Sequence, residues 1–230
     1  MPAILRAPLK RQCLAILRER AIPFGTILDV GAQHGTLELR DAFPDNKHVL
    51  FEPVASYRPH IERNYATVAH EIVTAAVSDE DGEIEIVTAS VTPGTDVSHA
   101  WMAGPHERGK GHPVVPMITL DSYTAAKSHA TPYFLKIDVD GYEPYVLRGA
   151  ARTLADTSVV MIEATVRTIA ERIDVLQNAG FQVFDFVEPC YYDGSLWQVD
   201  VILLRGDLHR KFFRDIHKDF DPASYVMFSD

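Results

Sequence analysis

The chain has 230 residues, 47% hydrophobic and 23% charged, with a formal net charge of −10. That length suits one large α/β domain with a full core. The acidic balance argues against duplex nucleic acid as partner, because like charges repel a phosphate backbone. Leu5, Leu9, Cys13, Ile16 and Leu17 recur at helical spacing, predicting a helix over about 5–20 on one edge of the domain. Arg6, Lys10, Arg11, Arg18 and Arg20 interrupt the apolar residues of this segment, so no secretory signal is expected. No run reaches the ~20 apolar residues of a membrane span. Cys13 and Cys190 stand far apart and in no metal-ligand spacing, which fits reduced thiols. The expectation is a cytoplasmic protein of one domain, 1–230, with a helical edge at 1–22 and a C-terminal tail at 206–230. Nothing in the sequence fixes an oligomeric state.

Thr26-Ile27-Leu28-Asp29-Val30 reads as a buried strand that breaks into Gly31-Ala32-Gln33-His34-Gly35 and then a helix. Strand, glycine turn and helix make the first half of a nucleotide-binding βαβ unit. The pattern is Asp-x-Gly-x-x-x-Gly and not Gly-x-Gly-x-x-Gly, so a dinucleotide pyrophosphate is not the expected guest. A carboxylate at Asp29 suits a zwitterionic, sugar-bearing ligand such as S-adenosylmethionine. Gly31, Ala32, Gln33 and Gly35 complete the candidate turn. Lys47–Phe51 forms the second strand and closes on Glu52, 52 − 29 = 23 residues after Asp29. There an α/β nucleotide fold places its ribose-diol acceptor.

A helix is expected over 54–64 and a third strand over 71–77. Ala76 and Val77 are candidates to flank an adenine, with Ser78 or Asp79 hydrogen-bonding its amine. Asp81-Gly82 turns the chain into the alternating strand Glu83–Val87, against which Val114–Ile118 returns antiparallel. Between them, 89–112 has no clear period and holds Trp101, His99, His106 and His112; long loops of this kind often bind substrate. The histidine separations match no usual zinc pattern, so no metal is assigned there.

Phe134–Val139 reads as a central strand ending in carboxylates, with Lys136 and Asp138 on one face. Ligands of open α/β sheets lie beyond the carboxyl ends of strands, and a buried lysine requires a carboxylate partner. A helix follows from Glu143 with Leu147, Ala150 and Leu154 inward; Ser158–Glu163, Phe181–Phe186 and Val199–Leu204 supply further strands around a helix at 169–179.

Taken together, Ile27-Leu28-Asp29-Val30-Gly31-Ala32, Phe51-Glu52-Pro53, Ala75–Asp79 with Gly82, Thr119-Leu120-Asp121, Phe134–Gly141 and Ile162-Glu163 resemble the FkbM-type S-adenosylmethionine-dependent methyltransferases over about 26–165. Gln33 replaces the Asn usual in that family, and Asp140 replaces Glu; the amide and the charge are kept. The resemblance implies the class I methyltransferase fold: a Rossmann-like, mostly parallel seven-stranded sheet in the order 3-2-1-4-5-7-6, helices on both faces, the last strand antiparallel. The hairpin at 83–118 is an insertion. It also implies O-methylation of a hydroxyl on a sugar, glycan or secondary metabolite, with S-adenosyl-L-methionine as cofactor. A hydroxyl benefits from a general base, and Asp138 is the first candidate, with Lys136 and Glu163 beside it. An alternative has Asp138 and Glu163 ligate Mg2+ to acidify the hydroxyl. Two other classes stand against this reading: a nicotinamide-dependent oxidoreductase, which shares the βαβ start, and a non-catalytic nucleotide-binding module.

Overall fold

The computed structural model describes residues 6–90 and 99–226. These form two compact units, one of 24–157 and one of 6–23 with 158–226. In the latter, α1 (Lys10–Glu19) buries Cys13, Leu14 and Leu17. It starts later than expected because Leu9 is extended, with φ −108°, and Pro8 disfavours helical geometry at the residue before it.

In the 24–157 unit, β1 (Thr26–Val30) is buried at every position, as a parallel strand covered on both faces must be. Then come α2 (Leu37–Ala42), β2 (Lys47–Phe51), a 3-10 turn (Ala55–Tyr57), α3 (Arg58–Asn64) and β3 (His70–Val73). The expected strand over 71–77 divides. Ala75 N–H folds back onto the Val73 carbonyl at 3.0 Å, so β4 (Ala76–Val77) leaves the first sheet for a second one. That sheet has the order β4-β7-β5-β6, with β5 (Gly82–Ala89), β6 (His99–Met102) and β7 (Val114–Ile118). β5 and β7 pair antiparallel, Ile84 opposite Val115, as the alternation predicts.

The stretch expected as an aperiodic loop therefore contains a strand. β6 pairs antiparallel with β5, Val87 opposite Trp101 and Ala89 opposite His99. Four residues are too short for a period to show. Residues 91–98 of the expected substrate loop lie outside the described residues.

Helix α4 (Leu120–Ala126) is capped by Thr119, whose side chain accepts the Ser122 N–H. β8 (Tyr133–Ile137) pairs parallel with β1, which pairs parallel with β2, and β2 with β3. The expected single helix after it is two, α5 (Glu143–Arg148) and α6 (Ala151–Ala155), with the break at Gly149. A Cβ there would stand 2.1 Å from the Ser78 carbonyl, so the close approach of two backbones sets the break.

The remaining elements are β9 (Thr157–Thr165), α7 (Ile169–Asn178), β10 (Phe181–Tyr192), β11 (Ser195–Arg205) and α8 (Gly206–Phe212). β11 runs antiparallel to both β9 and β10. The main sheet has the order β10-β11-β9-β8-β1-β2-β3, the 3-2-1-4-5-7-6 arrangement with its last strand reversed. Ile27, Leu28, Leu50, Phe51, Phe134 and Leu135 are wholly buried in the 24–157 unit, each worth about 1.5–3 kcal/mol relative to exposure. They fix the strand ends from which the candidate site projects.

Candidate functional site

The glycine turn is pegged from below by Lys136. Asp29 and Lys136 stand opposite each other on β1 and β8. The lysine Nζ donates to the Gly31 carbonyl at 2.7 Å. It also lies 3.1 Å from Asp29 Oδ1, an ion pair without hydrogen-bond alignment, and 3.5 Å from Asp138 Oδ2. Asp29 Oδ2 accepts the Thr36 N–H at 3.3 Å. Asp29 is thus wholly buried and holds the strand to the helix start, and the ammonium group beside it is that of Lys136. The expected shared face of Lys136 and Asp138 is observed.

Gly31 (φ +76°) and Gly35 (φ +92°) both need glycine, but for contacts within the chain. A Cβ on Gly31 would fall 1.8 Å from the Asp138 carbonyl, and one on Gly35 would fall 2.3 Å from the Tyr65 ring. Gln33 also has positive φ, +50°, a conformation that costs of order 1–3 kcal/mol in a non-glycine residue and clusters at functional sites. Ala32 is buried beneath the turn.

Glu52, just after β2, closes on this turn. Its Oε2 accepts the Gln33 N–H at 2.7 Å and its Oε1 the Val54 N–H at 2.8 Å. Each oxygen keeps a further acceptor site. Burial pushes the carboxyl up to about 7, against the two backbone donors and Lys136, which lower it. Tyr57 is a neighbour that the sequence did not single out. Its hydroxyl is 3.5 Å from Gln33 Nε2, and its ring stands edge-on to His34 at 4.8 Å. Val77 and Ser78 are buried at the end of β4, where the Ser78 N–H donates to the Ile118 carbonyl.

Beyond β8 the chain turns through Asp138-Val139-Asp140-Gly141. Glu143, almost wholly buried, accepts the N–H of Val139 at 3.3 Å and of Gly141 at 3.2 Å. Asp140 sits at φ +49° and Gly141 at +98°. Asp140 reaches an open cavity of about 310 Å³ lined also by Ala89, Ser90, His99 and Trp101. His99 and Trp101 share one face of β6, two residues apart. The Trp101 Nε1–H donates to both Glu107 oxygens at 3.2 Å, which fixes the plane of the indole. Partial desolvation raises the carboxyl of Asp140, which is exposed; His99 and the Ala100 N–H act against it, while Asp138 and Glu143 add to it. Neither Asp140 nor Glu143 was a sequence candidate: Asp140 depends on how β5, β6 and the turn come together, and Glu143 on how the turn folds back onto it.

Glu163 lies on β9, in the other unit, and accepts from Gln198 Nε2 at 2.6 Å. Among the described residues no three His, Cys, Asp or Glu side chains are grouped to hold a metal ion. The donor set does not support the Mg2+ alternative for Asp138 and Glu163.

A family model described as "Methyltransferase FkbM domain" matches residues 29–183, about two thirds of the chain. The chain belongs to the FkbM methyltransferase family. This FkbM protein is accordingly an S-adenosylmethionine-dependent methyltransferase. No curated protein matches it. Among solved structures, an rRNA methylase from Streptococcus thermophilus is similar at 12% identity and a TM-score of 0.50, covering 88% of this chain and 99% of that one. A precorrin-6y C5,15-methyltransferase from Geobacter metallireducens GS-15 is similar at 12% identity and a TM-score of 0.48, with 89% and 92% covered. A putative tRNA (m1A22) methyltransferase of Streptococcus pneumoniae, in complex with S-adenosyl-L-methionine, gives 14% and 0.43, with 92% and 83% covered. At these identities the rRNA methylase supports the fold of this FkbM chain alone. No helix of the described residues is long and apolar enough to cross a membrane.

Proposed function

We propose that this FkbM chain O-methylates a hydroxyl of a sugar, glycan or secondary metabolite. S-adenosylmethionine, when bound, supplies a methyl group on a sulfonium. Glu52 is the observation that carries the site assignment: a buried carboxylate with spare acceptor capacity, held by the Gln33 and Val54 N–H groups, suits the two hydroxyls of a ribose. Asp29, Gly31, Ala32, Gln33 and Gly35 form the turn beside it, and in this reading Val77 flanks the adenine while Ser78 hydrogen-bonds its amine.

The chemistry asks the protein mainly to position donor and acceptor in line. Lys136, Asp138 and Glu163 are the candidate reacting-centre residues. The Lys136–Asp138 pair and the packing of the Asp138 carbonyl against Gly31 support the first two. Glu163 rests on its place in the resemblance. The 89–112 segment supplies the acceptor side, supported by the Trp101 cavity. A net charge of −10 supports a non-nucleic-acid acceptor. The family match crosses from one compact unit into the other, which supports one methyltransferase domain over 1–230.

The test is transfer of labelled methyl from S-adenosylmethionine to pools of glycosides and hydroxylated metabolites, with the product's linkage read by NMR. O-methyl products are expected; N-methyl or C-methyl products would overturn the hydroxyl assignment.

A further inference from the structure

We propose that the cavity between β5, β6 and the turn after β8 holds the methyl acceptor, and that Asp140 takes the acceptor's proton, with His99 beside it. This rests on the methyl-transfer reading above.

Three observations converge on it. Asp140 is one of the cavity's lining residues, and Asp138 is not. Asp138 instead faces Lys136, at 3.5 Å. Asp140 is also held where a β-residue would not be, at φ +49°, by a turn that Glu143 ties together from two N–H groups. Strain at a cavity-lining acid, sustained by a buried partner, is the mark of a positioned group. Lastly, the cavity pairs one apolar face with polar groups. The indole of Trp101, fixed by Glu107, faces the same space as the Ser90, His99 and Asp140 side of the lining. At about 310 Å³ it stands at the small end of ligand sites. That combination suits one compact ring carrying hydroxyls, such as a single pyranose, and not a flat extended chain.

Asp138 and Asp140 are two residues apart, and the Asp138 carbonyl packs against the glycine turn. The turn therefore spans from the cofactor side to the acceptor side. In the step, the acceptor oxygen forms a bond to the methyl carbon as the carbon–sulfur bond breaks, and its electron pair leaves on sulfur. The hydroxyl proton passes to the Asp140 carboxylate. The positive sulfonium and the negative carboxylate become a neutral thioether, a neutral carboxylic acid and the methyl ether, so atoms and charge balance. Partial desolvation at the cavity wall raises the Asp140 carboxyl, which favours proton uptake; His99 opposes this and steadies the carboxylate beforehand.

The chain has two tryptophans, and Trp197 on β11 is half-exposed. In a Trp197→Phe background Trp101 is the sole indole reporter. That protein, saturated with S-adenosylhomocysteine, is titrated with methyl α-D-glucopyranoside, methyl α-D-mannopyranoside, methyl α-D-galactopyranoside and methyl α-L-rhamnopyranoside. At least one should change Trp101 emission saturably, and Asp140→Asn should keep that response. With S-adenosylmethionine, transfer to that glycoside should fall by ~10²–10⁴-fold in Asp140→Asn. No response from any of the four, while calorimetry still shows the cofactor bound, overturns the acceptor cavity and leaves the methyl-transfer reading intact. Absence of cofactor binding strikes the methyl-transfer reading instead. Undiminished transfer by a folded Asp140→Asn overturns the role of Asp140.

Discussion

Glu52 Oε2 accepts the backbone N–H of Gln33 at 2.7 Å, tying the end of β2 to the strained centre of the glycine turn. The carboxylate is desolvated by that arrangement, and its carboxyl is pushed up to about 7 from an ordinary 4.5. Between those values the native chain holds a proton that the unfolded chain releases, so this group's share of stability is full below about 4.5 and falls as pH rises through 7. In the proposed cofactor site ribose hydroxyls donate to the ionised form, so cofactor affinity is expected to run the other way. S-adenosylhomocysteine should bind more tightly at pH 8 than at pH 6, and Glu52→Gln should flatten the difference. Calorimetry at the two pH values checks this; an unchanged slope in the variant would assign the pH dependence elsewhere.

Lys136 is the peg under the turn. Lys136→Met removes the donor to the Gly31 carbonyl and leaves Asp29 buried without its cation. Breaking a buried pair from one side costs about 3–5 kcal/mol. Urea unfolding should show a loss of that size, and a loss below 1 kcal/mol would mean that Asp29 is neutralised by another group.

Much of this frame was legible in the sequence. β1 and β2 are continuous apolar runs ending in Asp-x-Gly and Glu-Pro, and both form where expected. The Lys136–Asp138 face follows from alternation alone. What was not legible depends on partners distant in the chain. β6 is four residues long and exists because β5 offers it an edge. The 71–77 run divides because Ala76 and Val77 pair with β7 in another sheet. Gly35 is one glycine of the turn in the sequence, and only the fold shows that the ring of Tyr65 takes the space beside it. Asp140 looks like one acid among several until β6 brings His99 and Trp101 to it.

Glu71 on β3 offers an acid-stability test independent of the site. Lys47, Lys127 and the Tyr123 hydroxyl hold its carboxyl down to about 2. A depressed carboxyl stabilises above its unfolded value of 4.5 and loses that as pH falls through 2. With the cluster partly solvent-screened, the contribution is about 1 kcal/mol. The stability gap between the wild type and Glu71→Gln should be full at pH 6 and close progressively below 4.5. A gap constant down to pH 2 would contradict the ion cluster.

Gly31→Ala tests the turn geometry. The added Cβ would meet the Asp138 carbonyl at 1.8 Å on a backbone at φ +76°. A destabilisation above about 4 kcal/mol is expected, whereas Gly141→Ala, with positive φ but open space around its Cβ, should cost only about 1 kcal/mol. Equal losses in thermal unfolding would show that conformation and not contact decides.

Binding of S-adenosylmethionine by the Asp29–Gly35 turn and Glu52 is the proposal on which the rest depends. Titration calorimetry of the wild type with S-adenosylmethionine, with NADH as competitor, tests it most directly. One saturable site is expected, with no competition by NADH and a loss of roughly 1.5–3 kcal/mol of binding in Glu52→Ala, about 10- to 150-fold. Unchanged affinity in a folded Glu52→Ala, or displacement by NADH, would contradict it.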